Sequence, residues 1–203
     1  MPIPYGSFDE LLERVDEPHR SGLQRILSIH RDRIQSARGS SYNHQAWTGG
    51  YADHVREVMN CAVALYETMS QLRPLPFTLS DALIVLFVHD LEKPWAYEEV
   101  DGTWRRKPGL KENAHAFRMA KLAEVNVALP AELEQAVRFV EGEGSHYSNQ
   151  VRGMSPLAAF CHMCDVASAR VWHDFPLEQD DPWVGARRST AESDTATDRA
   201  PVA

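Results

Sequence analysis

Ala82-Leu-Ile-Val-Leu-Phe-Val88 runs directly into His89-Asp90, and Leu91-Glu92-Lys93-Pro94 closes the stretch. An apolar run of this kind, begun near Leu79 and stopped by Pro94, predicts a helix from about Leu79 to Glu92. A helix that is apolar on every side is buried. A carboxylate at the end of such a helix costs several kcal/mol to bury unless it is paired or bound to a metal. The His89-Asp90 pair therefore points to a metal site inside a helical protein.

Working outward, other helices supply partners. Pro74 and Pro76 end a preceding helix that runs from about Tyr51 to Leu72. On it His54 shares a face with Val58, Cys61 and Leu65, since residues three or four apart lie on one side of a helix. A helix from about Glu112 to Val127 carries His115 on the face of Met119 and Leu122. One from Pro130 ends near Gly142, and a loop from Gly142 to Gly153 holds His146. Ser155-Pro156 opens a last helix through about His173, with Asp165 one turn after Cys161 and one turn before Ala169. Each candidate ligand stands where an apolar residue is expected. A single core histidine usually just finds one hydrogen bond, but an ordered set of six is hard to read that way.

Near the N-terminus, Ser7-Phe-Asp-Glu10 reads as a capping box for a short helix through about Val15. Pro18 starts another, with Leu23, Ile26, Leu27, His30 and Ile34 on one face. Between Trp95 and Gly109 the pattern changes. Tyr97-Glu-Glu-Val100, Asp101-Gly102 and Thr103-Trp-Arg-Arg106 predict a small β-hairpin, because Asp-Gly favours a tight primed turn. From Pro176 to Ala203 the chain is polar and aperiodic, and it reads as a disordered tail after one folded domain over residues 1–175. The fold class expected is all-α with a small β-hairpin insertion.

The composition narrows the function. The 203 residues suffice for one domain with a proper core, and 43% hydrophobic with 25% charged residues is ordinary for a globular protein. A net charge of −8 argues against binding extended nucleic acid, though a local basic patch can still hold a phosphorylated small molecule. No apolar stretch reaches the roughly 20 residues that span a bilayer, and no signal peptide is evident. Three cysteines, an odd and low number, argue against a disulfide framework as the basis of the fold; the expected location is cytoplasmic, with no membrane partner. Cys161-His-Met-Cys164 has the spacing of a zinc half-site, but it lies on a helix and lacks a second half, so both cysteines read as core packing.

Imidazole nitrogen and carboxylate oxygen suit divalent Mn, Fe, Co, Ni or Zn, and Mg also enters where oxygen dominates. His54, His89, Asp90 and Asp165 could hold one ion. Adding His115 and His146 gives enough donors for a second, with Asp90 bridging. Two ions can activate water and clamp phosphoryl oxygens.

This ordered set resembles the HD-domain metal-dependent phosphohydrolase superfamily. The matching pieces are Gly49-Gly50-Tyr-Ala-Asp-His54-Val, Val88-His89-Asp90-Leu-Glu-Lys93, His115, His146 and Asp165-Val-Ala-Ser-Ala169, which span about Tyr51 to Trp172. The resemblance implies an HD-type helical bundle. It implies that His54, His89, Asp90 and Asp165 ligate the first metal and that His115 and His146 match the extra histidines of dinuclear members. It also implies hydrolysis of a phosphate ester or anhydride of a small molecule, most plausibly a nucleotide, with Asp90 and Lys93 at the reacting centre.

Lys93 shares a helical face with His89 and Asp90, and in several such enzymes a lysine here meets substrate phosphate. HD 5′-deoxynucleotidases resemble this segment but carry an acid at that spacing, whereas this chain has its glutamate one residue earlier, at Glu92. Arg105, Arg106 and Lys107, with Lys111 beyond, form a basic cluster able to bind phosphate through bidentate guanidinium contacts. Alternation on a strand should send Arg105 and Lys107 one way and Arg106 the other. Trp95, Tyr97 and Trp104 offer either a base-stacking wall or packing beneath the hairpin. His44 and Trp47, just before the first ligand helix, are candidates to line the substrate pocket. Two other readings stay open: an HD-fold di-iron oxygenase of the myo-inositol oxygenase kind acting on a small polar substrate, and a degenerate module that only senses nucleotides.

Overall fold

The computed structural model describes residues 3–101 and 103–189. It is mostly helical, with one two-stranded sheet among the described residues. Helix α1 (Phe8–Leu12) opens on the expected capping box: Ser7 accepts from the Glu10 backbone while the Glu10 side chain reaches back. The helix expected after Pro18 divides at His30, whose φ of −112° and ψ of 18° leave the helical region, into α2 (His19–Ile29) and α3 (Arg31–Ser36). Leu23, Ile26, Leu27 and Ile34 are buried as expected, while Ile29 beside the break is exposed, so the periodicity read the buried face and not the break.

The long helix α4 (Gly50–Leu72) begins after Gly49, whose φ of 87° lies in the left-handed region that glycine enters without strain. Its first fourteen residues are almost wholly buried, and its last two turns emerge into solvent. Helix α5 (Leu79–Val88) starts at a second capping box, Thr78 with Asp81, and is buried from Ala82 to Val88. Each such Leu, Ile, Val or Phe contributes on the order of 1.5–3 kcal/mol by leaving water. This helix is the centre of the molecule: it packs on α2, α4, α8 (Ala131–Phe139) and α9 (Pro156–Val166).

The helix of the His-Asp pair ends sooner than the sequence suggests. His89 is the C-cap, Asp90 to Glu92 form a turn, and Lys93–Ala96 make the single-turn α6 with Pro94 at its second position. Proline has no N–H to lose at a helix start, so Pro94 opens α6 instead of merely stopping α5. The expected hairpin follows: β1 (Tyr97–Val100) pairs antiparallel with β2 (Thr103–Arg106), Tyr97 opposite Arg106 and Glu98 opposite Arg105. Helix α7 is Ala114–Ala123. After Val166 the α9 helix widens into a π-helical turn, Ala167–Val171, a distortion that often marks functional segments.

Residues 176–189 depart from the expected disordered tail. Trp183 packs edge-on to Tyr5 at 5.3 Å, its indole N–H donates to the Ile3 carbonyl at 2.8 Å, and Tyr5 N donates to the Val184 carbonyl. Arg188 stacks over Trp47 at 3.8 Å. Trp183 also meets the Trp172 ring at 6.0 Å, and these three aromatic contacts outweigh the polar composition that suggested disorder. The remainder of the expected tail, 190–203, lies outside the described residues. No helix among the described residues is long and apolar enough to cross a membrane.

Candidate metal centre

Three remote segments meet at one buried point. Helix α4 brings His54, the end of α5 brings His89 and Asp90, and α9 brings Asp165. His54, His89 and Asp90 are 0%, 1% and 2% exposed. His54 Nε2 lies 3.4 Å from His89 Nε2, 3.3 Å from Asp165 Oδ1 and 3.5 Å from Asp90 Oδ2. His89 Nε2 lies 3.3 Å from Asp90 Oδ2 and 3.7 Å from Asp165 Oδ1. Among the described residues, His54, His89 and Asp165 form the one group of three or more possible ligands whose donor atoms all lie within 4.8 Å of one another.

Hydrogen bonds on the far side of each ring set which nitrogen faces the cluster. His89 Nδ1 donates to the Leu86 carbonyl at 2.7 Å, which leaves Nε2 as the lone-pair nitrogen of the neutral ring. Ser168 Oγ donates to Glu57 Oε2 at 2.6 Å, so it accepts from His54 Nδ1 at 3.1 Å. Again Nε2 is left with its lone pair. Two lone pairs therefore face each other, with carboxylate oxygens around them. Either a proton on His89 or a cation between the rings meets that arrangement. Burial opposes protonation of His89, but Asp90 and Asp165 outweigh it and raise its pKa to about 10. His54 is lowered, chiefly by burial. Burial works against ionisation of Asp90 and Asp165 as well, yet Lys93 and His89 hold Asp90 well below the usual carboxylate range, and the two histidines do the same for Asp165.

The donor set fits a divalent metal. Two ligands each about 2.1 Å from a tetrahedral ion stand about 3.4 Å apart, close to the separations found here. Asp90 turns Oδ2 to the two histidines, while its Oδ1 is buried with no hydrogen-bond partner and faces the Arg118 guanidinium at 4.0 Å. The far-side bonds from Leu86 and Ser168 are the kind that orient metal-binding imidazoles.

A cleft of about 460 Å³ opens beside this cluster, and His44, Asp90, Lys93, Arg106, Lys111 and Asp165 line it. Lys93 Nζ sits 2.5 Å from Asp90 Oδ2. The His44 ring lies 5.1 Å from that of His54; burial, then Lys93 and His54, lower its pKa to about 3, so it is neutral. On the hairpin, Arg106 is half-buried, reaches Glu92 Oε1 at 3.2 Å and lines the cleft, whereas Arg105 and Lys107 are exposed and Lys107 approaches Glu98 at 4.0 Å. The basic cluster is thus divided between two faces: Arg106 and Lys111 line the cleft, and Arg105 and Lys107 do not.

Three expected residues lie elsewhere. Trp47 is not a cleft residue: its Nε1 donates to Asp53 Oδ2 at 2.8 Å beneath Arg188. His115 is not in the cluster of ligands; its Nε2 meets Glu134 Oε1 at 2.9 Å. His146 is exposed on a short 3₁₀ turn and touches the edge of Phe139 at 5.8 Å. Glu134, one helix away, offers His115 a nearer partner than the Asp90 carboxylate. Of the aromatic residues, Tyr97 lines the cleft, while Trp95 packs against Phe117, His30 and Lys121. Cys161 and Cys164 are buried, and burial pushes both thiols up.

Sequence reasoning missed Ser168 and Glu57, each three residues from a ligand and thus on its helical face, which was the available signal. It also missed the work of Glu92, which is buried between Arg118 at 2.7 Å and Arg106 at 3.2 Å. A comparison of the chain with protein-family models, with curated proteins and with solved structures found no match.

Proposed function

We propose that the protein is a metal-dependent phosphohydrolase of the HD type, acting on a small phosphorylated substrate, most plausibly a nucleotide. The observation that carries this reading is the convergence of two imidazole nitrogens and two carboxylates at the floor of a cleft whose rim is cationic. His54, His89, Asp90 and Asp165 would hold one divalent ion. A bound ion of this kind supplies a water of lowered pKa and charge stabilisation for phosphoryl oxygens. Ser168 and Leu86 keep the two rings turned toward it. Arg106 and Lys111 attract the phosphate into an otherwise acidic protein. Lys93 carries its ammonium on a flexible stem at the cleft wall. Were Asp90 to ligate the ion, that ammonium would be free to meet the phosphoryl oxygens and would offset charge there. Neutral His44 offers one hydrogen bond without adding charge.

The oxygenase reading draws less support. It needs all six donors at one place, and His115 and His146 stand apart from the cluster; the cationic rim also has no use for an uncharged polyol. A sensor that only binds would have no need of a metal with open coordination positions.

The test is release of phosphate or pyrophosphate from a panel of nucleoside mono-, di- and triphosphates and other phosphorylated metabolites, with Mn, Co, Ni, Zn, Fe or Mg added. Metal-dependent release, abolished in Asp90→Ala and Asp165→Ala together with bound metal, is the expected result. No release by metal-loaded protein, or wild-type turnover and metal content in those variants, would overturn the assignment.

A further inference from the structure

Seven arginines among the described residues are buried or half-buried: Arg20, Arg31, Arg38, Arg56, Arg106, Arg118 and Arg188. Six have a carboxylate within 4.0 Å: Arg20 has Glu13 and Glu17, Arg31 has Asp9, Arg56 has Asp53, Arg106 and Arg118 share Glu92, and Arg188 has Glu178. Arg38 has none among the described residues. Its guanidinium lies over the Trp104 ring at 5.6 Å and donates to the Ala46 carbonyl, and its Nε is buried with no hydrogen-bond partner. Arg56 and Arg106 leave a buried Nε unpaired as well, but each has an acid beside it; Arg38 alone of the seven combines an unused N–H with no carboxylate among the described residues, a costly state for a partly desolvated cation.

Arg38 lines a second cleft, of about 550 Å³, between α3 and the hairpin. That volume is within the roughly 300–1,000 Å³ of small-molecule sites. Arg33 stands on the same wall, its guanidinium over Trp95 at 5.5 Å and bonded to the Pro94 carbonyl at 3.3 Å, also without a carboxylate partner among the described residues. Aromatic faces and backbone carbonyls fix both forks while leaving their charge uncompensated, which is how a phosphate site is prepared. Asp32 is the one carboxylate in the described lining, against Arg31, Arg33, Arg38 and Lys93. Lys93 and Tyr97 line this cleft and the metal cleft alike, so the two adjoin at that wall.

We infer that the α3–hairpin cleft is an anion site, anchored on Arg38 and Arg33, that holds the phosphates of an oligophosphate beyond the one that reacts. The term substrate rests on the phosphohydrolase reading; the anion site does not. Substrates with two or more phosphate groups then gain contacts that a monophosphate cannot make.

Inorganic triphosphate is the probe, titrated calorimetrically into the full-length protein. Arg38→Gln should weaken its binding about tenfold, the scale of one lost charge-assisted contact. Arg33→Glu should weaken it at least as much. Arg33 is solvent-exposed, so this variant decides the matter if Arg38→Gln does not fold. The same ratios are expected in an Asp165→Ala background, because the contacts lie outside the metal cluster. Affinity within twofold of the parent in Arg33→Glu, or in a folded Arg38→Gln, overturns the site. The two readings fail separately. Triphosphate binding that depends on Arg33 with no hydrolysis of any substrate would sink the phosphohydrolase and keep the site. Metal-dependent hydrolysis with binding indifferent to both arginines would do the reverse.

Discussion

Ser168 occupies a position where one hydroxyl settles the state of a whole site. It gives its proton to Glu57 and takes one from His54, so it keeps the lone pair of His54 on the nitrogen that faces His89. Ser168→Ala removes both bonds and lets the ring rotate or change tautomer. Metal affinity should fall by about 10–100-fold, the usual effect of losing an outer partner of a metal-bound imidazole. Competition against a chromophoric chelator measures it, and unchanged affinity would mean that packing alone orients His54. Glu57 is the other end of this chain. Burial raises its carboxyl pKa to about 8, against the lowering effect of Ser168. A folded-state pKa above the unfolded one gives stability that is full below about pH 4.5 and is lost as pH rises through about 8. The difference in melting temperature between wild type and Glu57→Gln, followed from pH 5 to 9 with chelator present, should show wild type losing more across that window. Parallel curves would place the titration elsewhere. Neither residue stood out in the sequence. A serine or glutamate on a helix usually faces water, and only the fold shows that these two do not.

Helix α5 was the most legible element, because an unbroken apolar run allows no solvent-facing side and therefore fixes the helix at the centre. The ligand helices α4 and α9 were legible for a related reason: polar residues interrupt faces that are otherwise apolar. The break at His30 was not, since two short helices can share one buried face and leave the periodicity intact. The hairpin was legible from Asp101-Gly102, and its alternation separates Arg106 from Arg105 and Lys107. The anchoring by Glu92 was hidden, because it needs Arg118 from α7 to arrive beside Arg106. Arg106→Gln leaves Glu92 its shorter bond, to Arg118, so the fold should survive. It should raise KM for a nucleoside triphosphate about tenfold, as expected for one guanidinium–phosphate contact, and leave metal content unchanged. Arg105→Gln, on the outer face of the same strand, should change KM less than twofold; equal effects from the two would make the charge a long-range one. On α7, His115→Ala should leave the metal stoichiometry at about one ion per chain, because its imidazole is engaged by Glu134. A fall in bound metal on that substitution, read by elemental mass spectrometry, would restore a second ion to the site.

At the scale of the whole molecule, residues distant in sequence close on the buried His–Asp cluster, and the chain beyond the last helix returns to brace it. Ser189 N donates to Asp53 Oδ1 at 2.8 Å, and Asp53 also accepts from Trp47 and Arg56 while wholly buried beside His54 in the chain. The sequence hid this return. The segment from Pro176 is rich in acids and lacks any period, so its composition reads as solvated chain. What decides otherwise is a few large contacts, because one indole can bury more apolar surface than several polar residues expose. Trp183 carries most of that burden through Tyr5, Trp172 and the Ile3 carbonyl. Trp183→Ala removes the aromatic packing and leaves that carbonyl without its donor. Full truncation of a core aromatic costs about 3–5 kcal/mol. Trp183 is half-buried, so a loss of about 2 kcal/mol is expected. For a chain of this size each kcal/mol lowers Tm by about 2–4 °C, which gives a fall of about 4–8 °C by calorimetry. The metal ligands are untouched, so metal content below the transition should match wild type. A Tm within 1 °C of wild type, smaller than the effect of even about 0.5 kcal/mol, would mean that residues 176–189 do not brace the fold in solution, and that the N-terminal strand of contacts from Ile3 to Tyr5 is held by α1 and α4 alone.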